Sequence, residues 1–235
     1  MICLVLLNEV DPSHSPLAAQ LTPEWLTACA VALQTQLVRD VGPVWPYGQG
    51  AIVRVGSGPD DVGQAEVPAR ILASLPDAPG AIAYHDDAGG YPDVFLGLDT
   101  CSLLTEVSSA LSHEACEMSA DPNCDQWVTV PSGIALPDGL TAGQQIALEV
   151  CDPLQDRVYT IGDVTLSDFC LPAYFALGPT PDGPTSFTGQ PLAQFGRTFG
   201  GYQLVRNADG SGEAQVMGAM PEYRRKRTRV RKRLA

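Results

Sequence analysis

Residues 113–117 read His-Glu-Ala-Cys-Glu. On a helix turning 100° per residue, His113 and Glu117 stand one turn apart on one side, where an imidazole and a carboxylate can hold one metal ion together. This is the geometry of the H-E-x-x-H zinc-binding helix with a carboxylate replacing the second imidazole. Glu114 falls off that line and reads as a general base, taking a proton from a water that the metal activates. Three protein ligands are usual at a catalytic zinc, and the chain has only three histidines, His14, His85 and His113. The third ligand is therefore sought among acids. Glu149 and Asp152, three residues apart in Leu148-Glu149-Val150-Cys151-Asp152-Pro153, are the first candidates, and Asp121 is a further one. One imidazole with two carboxylates makes a hard, oxygen-rich site, open to zinc or another divalent ion. The same residues have a plainer reading, an amphipathic helix whose His113 hydrogen-bonds a carboxylate such as Glu149 with no metal. His85, in Tyr84-His85-Asp86-Asp87, reads as a turn residue, and Cys116 as a buried thiol whose helical phase points away from His113 and Glu117.

The elements that must position these residues follow from periodicity and punctuation. From about Ser102 to Ala120, Leu103, Leu104, Val107, Ala110, Leu111, Ala115 and Met118 keep helical phase, and Asp121-Pro122 ends the helix. Glu106, Ser109, His113 and Glu117 form a polar stripe beside that apolar face. Thr22-Pro23-Glu24 predicts a second helix start, with Thr as cap and Pro at the first position, running to about Arg39. Ile2–Leu7 predicts a first strand. Ala51–Val55, Ile71–Leu75, Gln145–Val150, Arg157–Ile161 and Tyr202–Arg206 predict others, with Ala81–Tyr84 and Val94–Leu98 paired around Gly89-Gly90. Gly and Pro supply 43 of the 235 residues, so elements are short and loops many.

Charge divides the chain. Eight of its fourteen basic residues fall in the last twelve positions: Arg224, Arg225, Lys226, Arg227, Arg229, Arg231, Lys232 and Arg233. The remainder keeps six arginines against 27 acids, so a body of −21 carries a tail of +8. A body of that sign repels nucleic acid, whereas the tail suits an anionic partner: phosphate backbone, anionic membrane or acidic protein surface. With no base-stacking aromatic inside it, any nucleic-acid binding by the tail is expected to be sequence-independent and to steepen with salt by about 0.9 per neutralised phosphate in log–log slope. No stretch approaches the roughly 18 apolar residues of a membrane span. Ile2–Leu7 lacks a preceding positive residue and is expected to be a strand instead of a signal peptide, in a soluble, unexported protein. Seven cysteines, an odd number with no C-x-x-C pair, disfavour a disulfide framework or zinc ribbon.

Several blocks occur in order: Ser112-His113-Glu114 with Glu117 and Asp121-Pro122; Glu149-Val150-Cys151-Asp152-Pro153; Ser167-Asp168-Phe169 with Leu171-Pro172-Ala173-Tyr174-Phe175; and Gly200-Gly201-Tyr202. With Tyr84-His85 and the Arg-rich end, they make the chain from about residue 80 onward resemble a family of uncharacterised bacteriophage proteins of similar length. Leu166 and Ala120 depart from that pattern without touching a candidate ligand. A more distant likeness joins the same helix to exordium-like secreted proteins and zincin metallopeptidases. The resemblance implies one zincin-like α+β domain over residues 1–222, with a mixed sheet, an N-terminal helix and an active-site-type helix reached from an edge strand at Val94–Leu98. A basic tail over 223–235 follows. It implies His113 and Glu117 as ligands of zinc or another divalent metal, Glu114 as base, and Glu149 or Asp152 as third ligand. It further implies a virion-associated head, neck or tail accessory protein, made in the host bacterial cytoplasm and located in the virion. Its partners would be other virion proteins and, through the tail, packaged DNA, with oligomerisation by particle symmetry. The alternative is an active metal-dependent peptidase of phage assembly or entry.

Overall fold

The computed structural model describes residues 2–86, 92–177 and 183–218. The Gly89-Gly90 turn and the basic residues of 224–233 lie outside them. In chain order the strands are β1 (Cys3–Asn8), β2 (Ile52–Val55), β3 (Val67–Leu72), β4 (Ala83–Asp86), β5 (Asp93–Gly97), β6 (Trp127–Thr129), β7 (Gln145–Ala147), β8 (Val158–Ile161), β9 (Val164–Ser167), β10 (Tyr202–Arg206) and β11 (Ala214–Met217). The helices are α1 (Pro23–Thr35) and α2 (Leu104–Ala120), with short 3-10 turns between elements. The class is mixed α+β with a mixed sheet, as expected. The chain forms two compact units, each discontinuous in sequence. No helix among the described residues is long and apolar enough to cross a membrane.

The first unit contains the chain up to Gln126, Leu148–Cys151 and Arg157–Phe169. Its sheet runs β2-β1-β3-β5-β4, parallel except for β4. Central β1 buries Leu4, Val5, Leu6 and Leu7 in succession, as a strand covered on both faces requires. The expected edge strand at Val94–Leu98 is corrected here. β5 is internal, and the edge is β4, which pairs antiparallel with it through Tyr84↔Phe95 and His85↔Val94. Stacking of Tyr84 on Phe95, centroids 5.1 Å apart, reinforces that register.

α1 starts where the cap predicts, the Thr22 hydroxyl accepting the Trp25 N–H at 3.3 Å. It continues as a π-helical turn over Gln36–Val41, so the helical path reaches the predicted Arg39 in a wider winding. α2 is opened by Glu106, whose carboxylate accepts the Ser102 and Leu103 N–H groups at 2.6 and 3.2 Å. From Leu111 to Ala120 every residue of α2 is buried. The stripe predicted to be polar is thus exposed at Glu106 and part-exposed at Ser109, while His113 and Glu117 sit inside and must find partners there.

Ser112 shows how the interior accommodates polarity. Its Oγ donates to Gln36 Oε1 at 2.8 Å and accepts from Ser167 N at 2.9 Å, while Gln36 Nε2 donates to Ser167 O at 3.0 Å. This closed, buried triangle ties α2 to the π turn and to β9, fixing the rotation of α2 one residue before His113. Ser112→Ala leaves a buried carbonyl and a buried N–H unmet, at about 1–3 kcal/mol each. We expect about 3 kcal/mol of destabilisation by urea unfolding, against about 1 kcal/mol for Ser108→Ala, which removes the bond to Thr165 O at 2.7 Å and a longer one to Thr105 O within the helix.

The second unit contains Trp127–Ala147, Asp152–Asp156 and the chain from Cys170 onward. Its antiparallel sheet runs β11-β10-β7-β6. The buried rings of Tyr174, Phe175 and Phe195 pack together, and the Tyr174 hydroxyl donates to Gly196 O at 2.7 Å and accepts from Gln203 Nε2. Arg206 lies over Trp127, 3.8 Å from the ring centroid, and also bonds Gln145.

Candidate metal centre

Three segments of the first unit bring titratable side chains together: α2, β4 and the stretch after β7. On α2, His113 Nε2 lies 3.2 Å from Glu117 Oε2, the one-turn pairing expected from the spacing. The other oxygen, Glu117 Oε1, accepts the Cys151 N–H at 3.0 Å, so the carboxylate is anchored from two sides. Burial alone would push the Glu117 carboxyl up. The charge of His113, its hydrogen bond, the charge of His85 and the Cys151 amide together hold it below its ordinary value.

His85 is the residue that sequence reasoning misplaced. It is a strand residue whose ring is buried, the side chain 4% exposed, with Nδ1 3.0 Å from Glu114 Oε2. The polar run Tyr84-His85-Asp86-Asp87 resembles a turn in sequence, but pairing with β5 carries the strand through His85 and Asp86. Burial alone would push the His85 imidazole down. The neighbouring Cys124 side chain, the hydrogen bond of Nδ1 with Glu114 and the negative charges of Glu114 and Glu149 override it and raise the imidazole well above its ordinary value. The signal that could have found His85 is its place opposite apolar Val94 in a strand pair. Cys124 takes a left-handed backbone at φ 52° and sets its Sγ 3.7 Å from the His85 carbonyl.

Glu114, expected as the general base, is buried and bonded to His85. Its carboxylate, a His85 nitrogen and a Glu117 oxygen all lie within 4.8 Å of one another. Glu149 is half-buried and acts on His85 through its charge. Asp121 caps the end of α2, its two oxygens accepting the backbone and side-chain N–H groups of Gln126 at 2.7 and 3.4 Å, which makes it a staple of the 121–126 loop. Asp152, also buried, opens the turn Asp152–Leu154 in the second unit. Cys116 is buried as expected and hydrogen-bonds Cys151, whose thiol is raised well above its ordinary value by burial and by that neighbour. A thiol so raised, that of Cys151, stays protonated and unreactive.

The donor set fits a divalent cation of the zinc class. Imidazole and carboxylate groups are concentrated in one buried place, and His85 Nε2 is buried with no hydrogen-bond partner among the described residues. Compared with protein-family models, curated proteins and solved structures, the chain shows no match to any of them.

Proposed function

We propose that α2 and its neighbours form a divalent-metal centre, and that the chain is a virion-associated accessory protein of a bacteriophage. The observation that carries the metal reading is the burial of His85, His113, Glu114 and Glu117 in one cluster of the first unit. Burying so many ionisable groups is costly unless they are mutually compensated or hold a cation. His113 and Glu117 would hold the ion, with Glu149, half-buried in the same unit, as a candidate further ligand. Zinc there would supply Lewis acidity for hydrolysis of an amide or ester. Glu114, hydrogen-bonded by His85, is held in one orientation next to the cluster, the arrangement that a proton-transferring carboxylate needs.

The phage assignment rests on the ordered sequence blocks and on the Arg-rich segment 224–233, which suits docking against packaged DNA or an acidic virion surface. The peptidase alternative shares the metal centre and adds turnover to it.

Zinc analysis of the purified full chain, stripped with chelator and then dialysed against zinc, tests the first claim. Stoichiometric retention is expected, and loss of all zinc to a weak competing chelator would overturn it. Mass spectrometry of purified particles tests the second. Many copies per particle are expected, and confinement to the lysate would refute virion association.

A further inference from the structure

A single ion between His113 and Glu117 leaves the β4 side of the cluster unexplained. His85 is buried, its Nδ1 engages Glu114, and its Nε2 has no hydrogen-bond partner among the described residues. An orphaned buried nitrogen costs about 1–3 kcal/mol. Strands do not place a histidine in such a position for packing alone, because any apolar residue of similar size would pack there without that cost.

The donor atoms suggest what the position is for. One nitrogen of His85 and one oxygen each of Glu114 and Glu117 lie within 4.8 Å of one another, and His113 is not in that group. Donors around a tetrahedral zinc stand about 3.4 Å apart, so side-chain adjustments of about 1 Å gather these three onto one ion. Glu117 is common to both sides: Oε2 faces His113 at 3.2 Å, and the same carboxylate faces His85 and Glu114. The spacing on α2 produces this directly, since Glu117 follows His113 by four residues and Glu114 by three, placing it next to both on the helix surface. A carboxylate between two imidazoles, one of which has a further acid of its own, is a donor pattern open to a two-ion site, where ions stand about 3.5–4 Å apart.

We propose that the first unit holds a two-cation centre of the zinc class, with His113 and Glu117 on one ion, His85 and Glu114 on the other, and the Glu117 carboxylate shared between them. The inference rests on the metal reading above and changes one part of it: Glu114 is a ligand of the second ion.

The experiment is zinc counting on the full chain after chelator stripping and reloading, in wild type, His85→Ala and His113→Ala, with circular dichroism to confirm folding. About two zinc ions per chain are expected in wild type and about one in each variant. One ion in wild type, kept in His85→Ala and lost in His113→Ala, overturns the two-cation centre and leaves the metal reading standing. One ion lost in both variants also overturns it, since both imidazoles then serve a single ion. No ion in wild type removes the metal reading itself. Should His85→Ala fail to fold, cobalt titration of the wild type decides the matter. Two cobalt ions bridged by a carboxylate are magnetically coupled, so the electron paramagnetic resonance signal of the first equivalent is expected to fall as the second binds. Additive signals, or saturation at one equivalent, overturn the proposal.

Discussion

Glu117→Gln is expected to fold and fail to retain zinc, whereas Glu117→Ala is expected to lose both metal and much of its stability. Glutamine keeps the side-chain volume and an oxygen at the position that accepts the Cys151 N–H. Its amide can also donate to His113 Nε2 in the neutral imidazole. What it loses is charge. Even partners outside a metal's ligand set alter affinity by about 10–100-fold, so losing a ligand carboxylate is expected to weaken zinc by at least about a hundredfold. Alanine removes the acceptor as well, leaving a buried backbone N–H unmet beside a cavity, and should cost about 4 kcal/mol. The two variants therefore separate a ligand role from a packing role, provided that stability is read by urea unfolding of metal-stripped protein. The fold holds the Glu117 carboxyl below its ordinary value of 4.5. Its ionised form thus adds stability above that pH, and this contribution fades as pH falls through the lower folded value. The stability difference between wild type and Glu117→Gln should shrink on acidification. A difference that grows in acid would contradict the assigned ionisation.

Part of this arrangement could be read in the sequence because it is local. Thr22-Pro23-Glu24 specifies a helix start without knowing what lies around it, and Asp121-Pro122 a helix stop. The one-turn relation of His113 to Glu117 follows from helix geometry alone. What covers a helix face does not. A 100° period gives the direction of Glu106, Ser109, His113 and Glu117, yet Glu106 is exposed and Glu117 is 3% exposed, because α2 is enclosed on all sides only in its C-terminal part. His85 was hidden for a related reason. Its role depends on the register of β4 against β5 and on the placing of that strand next to α2, both non-local. Two acids that the sequence offered as third ligand, Glu149 first and Asp121 after it, also differ in the fold. Asp121 is engaged by Gln126, and Glu149 acts on the cluster, a difference set by where the loop 121–126 turns. The division into two units was not legible either, since each unit is assembled from separate stretches of chain.

Gly201 carries the strongest backbone constraint that the sequence hinted at, through the Gly200-Gly201-Tyr202 block. A Cβ on Gly201 would lie 2.2 Å from Pro153 O, 2.6 Å from Pro153 C and 2.9 Å from Asp152 O, all backbone atoms. Those atoms cannot retreat, because Pro153 O already accepts the Thr198 N–H at 2.9 Å and the Thr198 hydroxyl at 3.1 Å. Gly201 is held as well, by its N–H to Thr198 O and by its carbonyl, which accepts the Gly218 N–H at 2.7 Å. A methyl group there must break the clamp between the Asp152–Leu154 turn and the start of β10. Ordinary overpacking costs about 1–3 kcal/mol where side chains can shift. With only backbone to move, Gly201→Ala is expected to cost about 3 kcal/mol or more, a value reached by few single substitutions. Gly58→Ala is the matched control, since a Cβ there meets nothing within 4 Å and the backbone is not left-handed. It should change stability by less than about 1 kcal/mol and in the stabilising direction, through the reduced freedom of the unfolded chain. Equal urea midpoints for the two variants would show that the 152–154 turn yields, and that the second glycine of the Gly-Gly-Tyr segment is not required by close backbone approach.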